Sequence, residues 1–175
     1  MNKIVFLIFT QFLLMLLQLW AGNFGFVLPL ALLGALYIVL ALGKLWGFAA
    51  ALMSGCVLSV LYGGSWNLLY IVINPLLALV LGWWIDRHDE DVAVNFWQPG
   101  FFGGIASSLP AWCSLVFLWS ESGHFPAELP WLLVRTLWCS AVSAALFVLL
   151  ILLGEAATEF FGLPRFLTRK NGGER

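Results

Sequence analysis

Six apolar segments occupy most of this chain, and they predict an all-helical membrane fold. The segments lie at roughly 3–21, 24–43, 45–63, 65–85, 99–119 and 130–153. Each is close to the ~20 residues that a helix needs to cross a hydrocarbon core. We therefore expect an all-α integral membrane protein, with a six-helix transmembrane domain over 1–153 and a cytoplasmic juxtamembrane tail over 154–175.

The distribution of positive charge supports this count and predicts the orientation. Of the eight Lys and Arg residues, seven fall on one side if the segments cross alternately. These seven are Lys3, Lys44, Arg87, Arg165, Arg169, Lys170 and Arg175. The connections on the other side, near Gly22–Asn23, Gly63–Ser65 and 120–129, contain no Lys or Arg. Since cytoplasmic loops are the ones enriched in these residues, both termini should be cytoplasmic.

Composition argues against a soluble domain and against a nucleic-acid-binding protein. The chain is 62% hydrophobic and 10% charged, with a mean hydropathy of +0.98, whereas soluble domains are about 25% charged. A basic surface patch is missing from the sequence, so no nucleic-acid partner is expected. The tail mixes aromatic and basic residues, which is typical of a segment that lies on anionic lipid.

Recognisable catalytic chemistry is absent from the sequence. It contains no G-x-S-x-G elbow, no H-E-x-x-H motif and no glycine-rich phosphate loop. Asp and Glu do not occur within the six predicted segments, which disfavours a proton-coupled transporter. The cysteines, Cys56, Cys113 and Cys139, lack the spacing of metal ligands. We expect a protein that is not an enzyme and that holds no cofactor or metal.

The third segment carries a stripe of small residues, which predicts close helix packing. The stripe recurs at every fourth position: Gly47, Ala51, Gly55, Ser59 and Gly63. Residues four apart share one helix face, and small side chains let a second backbone approach. The partner helix could belong to this chain or to another protein. In the fifth segment, Gly103 with Ser107 and Gly104 with Ser108 repeat this spacing, and Pro110 should kink the helix.

Polar residues on the fourth segment form a second candidate site. Asn67, Tyr70 and Asn74 share one helix face, and Pro75 follows directly. One interpretation is hydrogen bonding between helices, which also suits Gln11 and Gln18 of the first segment. The other is a ligand pocket, formed by Asn67, Tyr70 and Asn74 with Trp131 and Arg135 of the sixth segment.

Arg135 is the charged residue that lies within a predicted segment, five residues after Pro130 and near the outer end of the sixth. Ionisable groups within a membrane are candidates for function because their burial in lipid is costly. A long side chain near the end of a helix can also reach back to the interface and act as an anchor. Both a structural role and a contact with a partner protein are therefore open for Arg135. The tryptophans nearer the middle of segments, Trp112 and Trp138, are expected to pack between helices.

In length, segment number and short tail, the chain resembles the rod shape-determining protein family MreD. The local match comprises Pro29–Leu33, Gly47-Phe48, Tyr62–Ser65 and Leu76–Gly82. The family pattern G-F-x-x-G-x-x-x-D has Ala51 here at its second glycine and Gly55 at its aspartate. The resemblance implies a multi-pass protein of the bacterial cytoplasmic (inner) membrane. It further implies a scaffold of the cell-wall elongation complex, with an MreC-like bitopic membrane protein and cell-wall synthesis enzymes as partners.

The layout is also similar to a second class of protein, the substrate-binding S components of energy-coupling-factor vitamin transporters. These subunits have six helices in a chain of comparable length, and the MreD fold is thought to be the same. S components usually carry an A-x-x-x-A patch on the first helix, whereas residues 3–20 contain no alanine here. The resemblance to MreD is therefore the preferred interpretation.

Overall fold

The computed structural model describes residues 2–24, 28–62, 67–92, 97–113, 116 and 129–162, with side chains for all of these except 2, 61–62, 67–68 and 89–92. Every regular element in these ranges is an α-helix. The helices are α1 (Asn2–Asn23), α2 (Leu30–Leu42), α3 (Lys44–Tyr62), α4 (Asn67–Val92), α5 (Trp97–Ala106) and α6 (Leu129–Phe160). The predicted all-helical fold is confirmed for this part of the chain.

Three of the helices are long and apolar enough to cross a membrane. Their spans are Lys3–Asn23 in α1, Leu69–His88 in α4 and Leu129–Phe160 in α6. Leu30–Leu42 and Lys44–Val60 are shorter apolar helices. At 1.5 Å per residue, the 13 residues of α2 extend about 20 Å, which is less than the ~30 Å of a hydrocarbon core.

The short helix α2 is the centre of the bundle. Every residue from Ala31 to Ala41 is buried, and α2 packs against α1, α3, α4, α5 and α6. A helix that is covered on all sides must be apolar on all sides, and the sequence LALLGALYIVLAL meets this requirement. Its one phenol, Tyr37, is 1% exposed. The core of the protein therefore surrounds α2.

Two glycines with left-handed backbone angles set the ends of helices. Gly43, with φ of 97°, separates α2 from α3. Gly162, with φ of 62°, follows the end of α6. The helix thus continues past the predicted end at 153, and residues 154–160 of the predicted tail are helical. No glycine or proline interrupts 155–161, so the first residue that favours a left-handed cap is Gly162.

The fifth predicted segment is interrupted near its proline. α5 ends at Ala106, a turn follows at Ser107 and Ser108, and residues 109–113 are helical again. Pro110 has no N–H, and its ring clashes with the carbonyl of the residue four positions earlier in a continuous helix. The expected kink is therefore a break in the described part of this segment. In α4, by contrast, Pro75 is accommodated inside the helix.

Close packing joins the helices in pairs. α5 lies against α6, where a Cβ added at Gly104 would meet the backbone of Ala144, and one added at Gly103 would meet the Phe147 ring at 2.6 Å. The beginning of α3 is linked to the C-terminal part of α4 by an ion pair between Lys44 Nζ and Asp86 Oδ2 at 3.0 Å. The α5–α6 pair reaches the other helices chiefly through α2.

Candidate functional site

A cavity with a few polar residues in a mostly apolar wall lies where the described helices converge beside the beginning of α2. Its volume is about 230 Å³. Residues from five helices, from the segment before α2 and from the segment after α5 line it: Gln18, Leu28, Pro29, Leu32, Leu58, Tyr70, Asn74, Ser107, Pro110, Ala111 and Cys139. The cavity thus lies near the end of α1, the beginnings of α2 and α4, and the break after α5.

Asn74 is the most informative residue of the cavity wall. Its side chain is fully buried, and its Nδ2 donates to Ser54 Oγ of α3 at 3.5 Å. Its Oδ1 has no hydrogen-bond partner among the described residues. A buried acceptor that lacks a donor costs about 1–3 kcal/mol. This oxygen is enclosed by the surrounding helices, since the whole side chain is 0% exposed.

Two glutamines of α1 hold α2 in place beside the cavity. Gln18 Oε1 accepts from the backbone N–H of Ala31 at 2.9 Å. With its amide oriented to suit its neighbours, Gln11 donates to the Ala31 carbonyl at 3.2 Å and accepts from the Ala35 N–H at 2.9 Å. Both glutamine side chains are buried. The polar residues of the first segment thus bond a neighbouring helix, and Gln18 also lines the cavity.

A second hydrogen-bonded group joins the segment after α5 to α6. Ser108 Oγ and Ser140 Oγ are 2.7 Å apart, and Trp112 Nε1 donates to Ser140 Oγ at 3.2 Å. Ser140 Oγ is also within 2.9 Å of the Thr136 carbonyl. Trp112 is therefore packed between helices, as expected for its position in the sequence. Ser140 connects three polar groups at the side of the cavity.

Only part of the predicted ligand pocket is brought together. Tyr70 and Asn74 line the cavity, whereas Trp131 and Arg135 do not. Trp131 is 61% exposed and points away from the bundle. Asn67 begins α4, and its side chain lies outside the described residues. The polar or thiol-bearing cavity residues that the prediction did not include are Gln18 on α1, Ser107 in the turn after α5 and Cys139 on α6.

The small-residue stripe of α3 faces neighbouring helices of the same chain. A Cβ added at Gly47 would meet Val39 of α2, and one at Gly55 would lie 2.6 Å from the Tyr70 carbonyl oxygen of α4. Ala51 is fully buried, and Ser59 donates to the Cys56 carbonyl within α3 at 2.7 Å. Gly63 lies outside the described residues. At Gly47 and Gly55, the helices that approach α3 closely therefore belong to the same chain.

The first turns of α6 present an aromatic and basic surface to the outside of the bundle. We call this surface the α6 outer patch: Trp131, Val134, Arg135 and Trp138. The guanidinium of Arg135 lies over the Trp131 ring, 5.2 Å from its centroid. The expectation that Trp138 packs between helices is wrong, because this side chain is 66% exposed. Residues Thr136, Cys139 and Ser140 take the buried face of α6 instead.

The sequence interpretation missed a buried carboxylate on α6. Glu155 is 9% exposed, and it lies next to Tyr37 of α2 together with Thr158. The Tyr37 ring packs on Gly154. The sequence contained one signal that Glu155 lies within a helix: neither glycine nor proline occurs between this residue and Gly162. Its position in α6 removes one argument against a proton-coupled role, since an ionisable group is present in a long apolar helix.

No cluster of three or more His, Cys, Asp or Glu side chains that could hold a metal occurs among the described residues. The candidate features are thus a small cavity beside a buried, unsatisfied acceptor, and a patch in which a half-buried arginine lies between exposed tryptophans. Comparisons with protein-family models, with curated proteins and with solved structures find no match to this chain.

Proposed function

We propose that the protein is a non-catalytic scaffold of the bacterial cell-wall elongation complex, as its resemblance to MreD implies. In this proposal the chain crosses the cytoplasmic membrane six times, with both termini in the cytoplasm. It acts by helix–helix contacts with an MreC-like bitopic membrane protein, and through that protein with cell-wall synthesis enzymes. The contacts serve to hold the partners together, and no reaction is assigned to the protein itself.

The observation that carries this proposal is the α6 outer patch. Arg135 follows the beginning of α6 by about 9 Å of helix, at 1.5 Å per residue, and lies beside two exposed tryptophans. Arginine and tryptophan are enriched at the centres of protein interfaces. A partner helix that packs on the exposed rings of Trp131 and Trp138 would also come close to the guanidinium of Arg135, which would give the contact specificity.

The α3 stripe is a weaker candidate for the partner contact. Gly47 and Gly55 are already in close contact with α2 and α4, so a helix of another protein cannot pack at these two positions. The patch on α6 is the exposed alternative among the residues that the sequence singled out.

The test is an affinity pull-down in mild detergent from native membranes, read by mass spectrometry. Three chains are compared: the wild type, Arg135→Ala and Arg87→Ala. Arg87 is a matched control, because it also lies over a tryptophan four residues earlier, 4.1 Å from the Trp83 centroid. We expect the wild type and Arg87→Ala to retain an MreC-like protein and wall-synthesis enzymes, and Arg135→Ala to lose them while accumulating normally.

Two outcomes would count against this proposal. Equal recovery of these partners by all three chains would exclude the α6 outer patch as the contact. Recovery of no wall-synthesis protein by the wild type would exclude the scaffold function.

The cavity favours a second candidate, a substrate-binding S component of an energy-coupling-factor transporter. Such a subunit needs a ligand site near the outer surface of the membrane, and the cavity with Asn74 is located at the end that the charge pattern assigns to that surface. The same pull-down separates the two functions. Recovery of a pair of ATPases with a transmembrane coupling subunit would support the transporter and oppose the scaffold.

A further inference from the structure

We infer that the groove between α4 and α5 binds an acyl chain of a phospholipid, and that Arg87 binds the phosphate of its headgroup. The headgroup carries a primary ammonium beside the phosphate, as in phosphatidylethanolamine. The inference goes beyond the scaffold function and does not depend on which protein partners the chain has. It rests on the shape of the groove, on its position along the helices and on the charges at one end of it.

The α4–α5 groove is separate from the cavity at the beginning of α2. Its volume is about 340 Å³, within the ~300–1,000 Å³ that is usual for ligand sites. Its wall combines buried and exposed residues: Leu36, Leu77 and Leu81 are buried, whereas Val80, Trp83 and Phe102 are exposed. The groove therefore has a buried floor on α2 and α4 and is open to the surroundings of the bundle.

A lipid chain is the occupant that suits the position of this groove. It runs along α4 from Leu77 to Trp84, inside a span that is long and apolar enough to cross a membrane. At 1.5 Å per residue this stretch measures about 10 Å, compared with ~15 Å for half of a hydrocarbon core. An empty groove would leave its wall atoms without dispersion contacts. The upper part of one acyl chain supplies these contacts.

One end of the groove lies at the level of the lipid headgroups. Trp83 and Trp84 line it in the last two turns of the span Leu69–His88, and tryptophans are enriched at this depth. On the other side of the groove, Pro99 belongs to the first turn of α5. An acyl chain in the groove thus places its headgroup near the end of the α4 span. Lipid tails are about as apolar as leucine, so the headgroup must provide the selectivity.

Arg87 supplies a phosphate ligand at this end. It is exposed, it follows Trp83 by one turn, and its guanidinium lies 4.1 Å from the centroid of the Trp83 ring. Among the described residues the guanidinium contacts only this ring, so its N–H donors are available. The planar guanidinium can donate two parallel hydrogen bonds to a phosphate. Basic pockets between transmembrane helices are recognised sites for lipid headgroups.

The charges near Arg87 favour a headgroup that carries both signs. Asp86 is paired with Lys44 at 3.0 Å. Three further carboxylates follow within four residues of Arg87: Asp89, Glu90 and Asp91. Because carboxylates outnumber cations here, a lipid with a net negative charge is repelled. An ammonium next to the phosphate is attracted by the carboxylates, and its three N–H donors can bond to them. Choline has no such donors, so ethanolamine is the better match.

The test is native mass spectrometry of the purified, delipidated full chain in detergent. The chain is incubated with equal amounts of phosphatidylethanolamine, phosphatidylglycerol and phosphatidylcholine that have identical acyl chains. Arg87→Gln removes the phosphate ligand, and Lys3→Gln is its control, because Lys3 is an exposed cation at the beginning of α1. Val80→Trp fills the groove. Its control is Val72→Trp, at an exposed position two turns earlier on α4 that does not line the groove.

We expect the wild type and both controls to bind phosphatidylethanolamine at least about fivefold more tightly than the other two lipids, a ratio that corresponds to ~1 kcal/mol. Arg87→Gln should weaken this binding by about fivefold, the contribution of one basic residue near a lipid surface. Val80→Trp should weaken the binding of all three lipids, because the acyl chain then has no space.

Three results would overturn the inference. The first is a wild type that binds no lipid, or that binds phosphatidylglycerol or phosphatidylcholine as tightly as phosphatidylethanolamine. The second is equal binding by Arg87→Gln and Lys3→Gln. The third is equal binding by Val80→Trp and Val72→Trp, which would locate the lipid outside the groove. If Val80→Trp does not accumulate, Val80→Phe provides a smaller side chain for the same comparison.

Discussion

Gln18 of α1 caps the N-terminus of α2 by accepting from the backbone N–H of Ala31, with 2.9 Å between Oε1 and the amide nitrogen. The first N–H groups of a helix have no acceptor within that helix. Pro29, at the capping position of α2, forms no side-chain hydrogen bond to it. The cap is therefore supplied by a different helix, and it connects the position of α1 to that of the central helix.

Replacing this glutamine should destabilise the protein. In Gln18→Leu the Ala31 N–H would be buried without an acceptor, since Ala31 is fully buried. We expect a loss of about 1–3 kcal/mol in the free energy of unfolding, measured by denaturation in detergent. Leu16→Met, on the exposed face of α1, should leave stability unchanged. Equal stability of both variants would show that the cap contributes nothing.

The contact between α3 and α4 should not tolerate a larger residue at Gly55. The nearest atoms to an added Cβ belong to backbone, the Tyr70 carbonyl oxygen at 2.6 Å and the Ile71 Cα at 3.1 Å. We expect Gly55→Leu to destabilise the protein by about 1–3 kcal/mol or more and to lower its accumulation. Cys56→Leu is the control, because Cys56 is exposed. Thermal stability and yield in detergent give the comparison, and a stable Gly55→Leu would contradict the packing described.

The Ser108–Ser140 hydrogen bond should show a measurable coupling. A double-mutant cycle of Ser108→Ala and Ser140→Ala isolates the pair from the other bonds that each serine makes. We expect a coupling of about 0.6 kcal/mol, the average for hydrogen bonds between membrane helices. Ala141→Ser, on the exposed side of α6, should not couple to Ser108→Ala. Additive effects of the two alanine substitutions would show that the Ser108–Ser140 hydrogen bond contributes no coupling energy.

The proposed six-crossing arrangement predicts where reporters should reside. Alkaline phosphatase fused after Arg87 should be inactive, because that side is cytoplasmic in the proposal. The same enzyme fused at residue 122 should be active, since one further crossing separates the two positions. A fusion at the C-terminus should again be inactive. Activity of the fusion after Arg87, or equal activity of all three, would reject the proposed orientation.

The hydropathy pattern predicted which residues form helices but not which helices contact one another. The α3 stripe and the Gly103 and Gly104 positions were recognisable because small residues recur at fixed spacing on one face. The same logic placed Tyr70 and Asn74 on one side of α4, and both line the cavity. The other walls could not be inferred, because the periodicity of one helix does not specify which helix it meets. Cys139 gave no signal of this kind.

Apolar helices also conceal which face is buried. Trp138 was expected inside, but α6 is hydrophobic all round, so its sequence gives little indication of the buried side. The face was decided by the small hydroxyl residues around Ser140, which fit against the segment after α5. Glu155 was missed for a related reason. Its carboxylate ended the apolar run in the sequence, whereas the helix continues to Phe160 and packs this side chain beside Tyr37.

The shortness of α2 has a mechanical consequence for the cavity. A bilayer of different thickness is accommodated by tilting of the helices that span it, and α1, α4 and α6 contain spans long and apolar enough to do so. Residues 31–41 of α2 are covered by neighbouring helices, so we expect α2 to keep its length of about 20 Å while the longer helices tilt around it. The cavity residues on α1, α4 and α6 would then shift relative to Leu32 of α2, so that the volume of the cavity would depend on the chain length of the surrounding lipid.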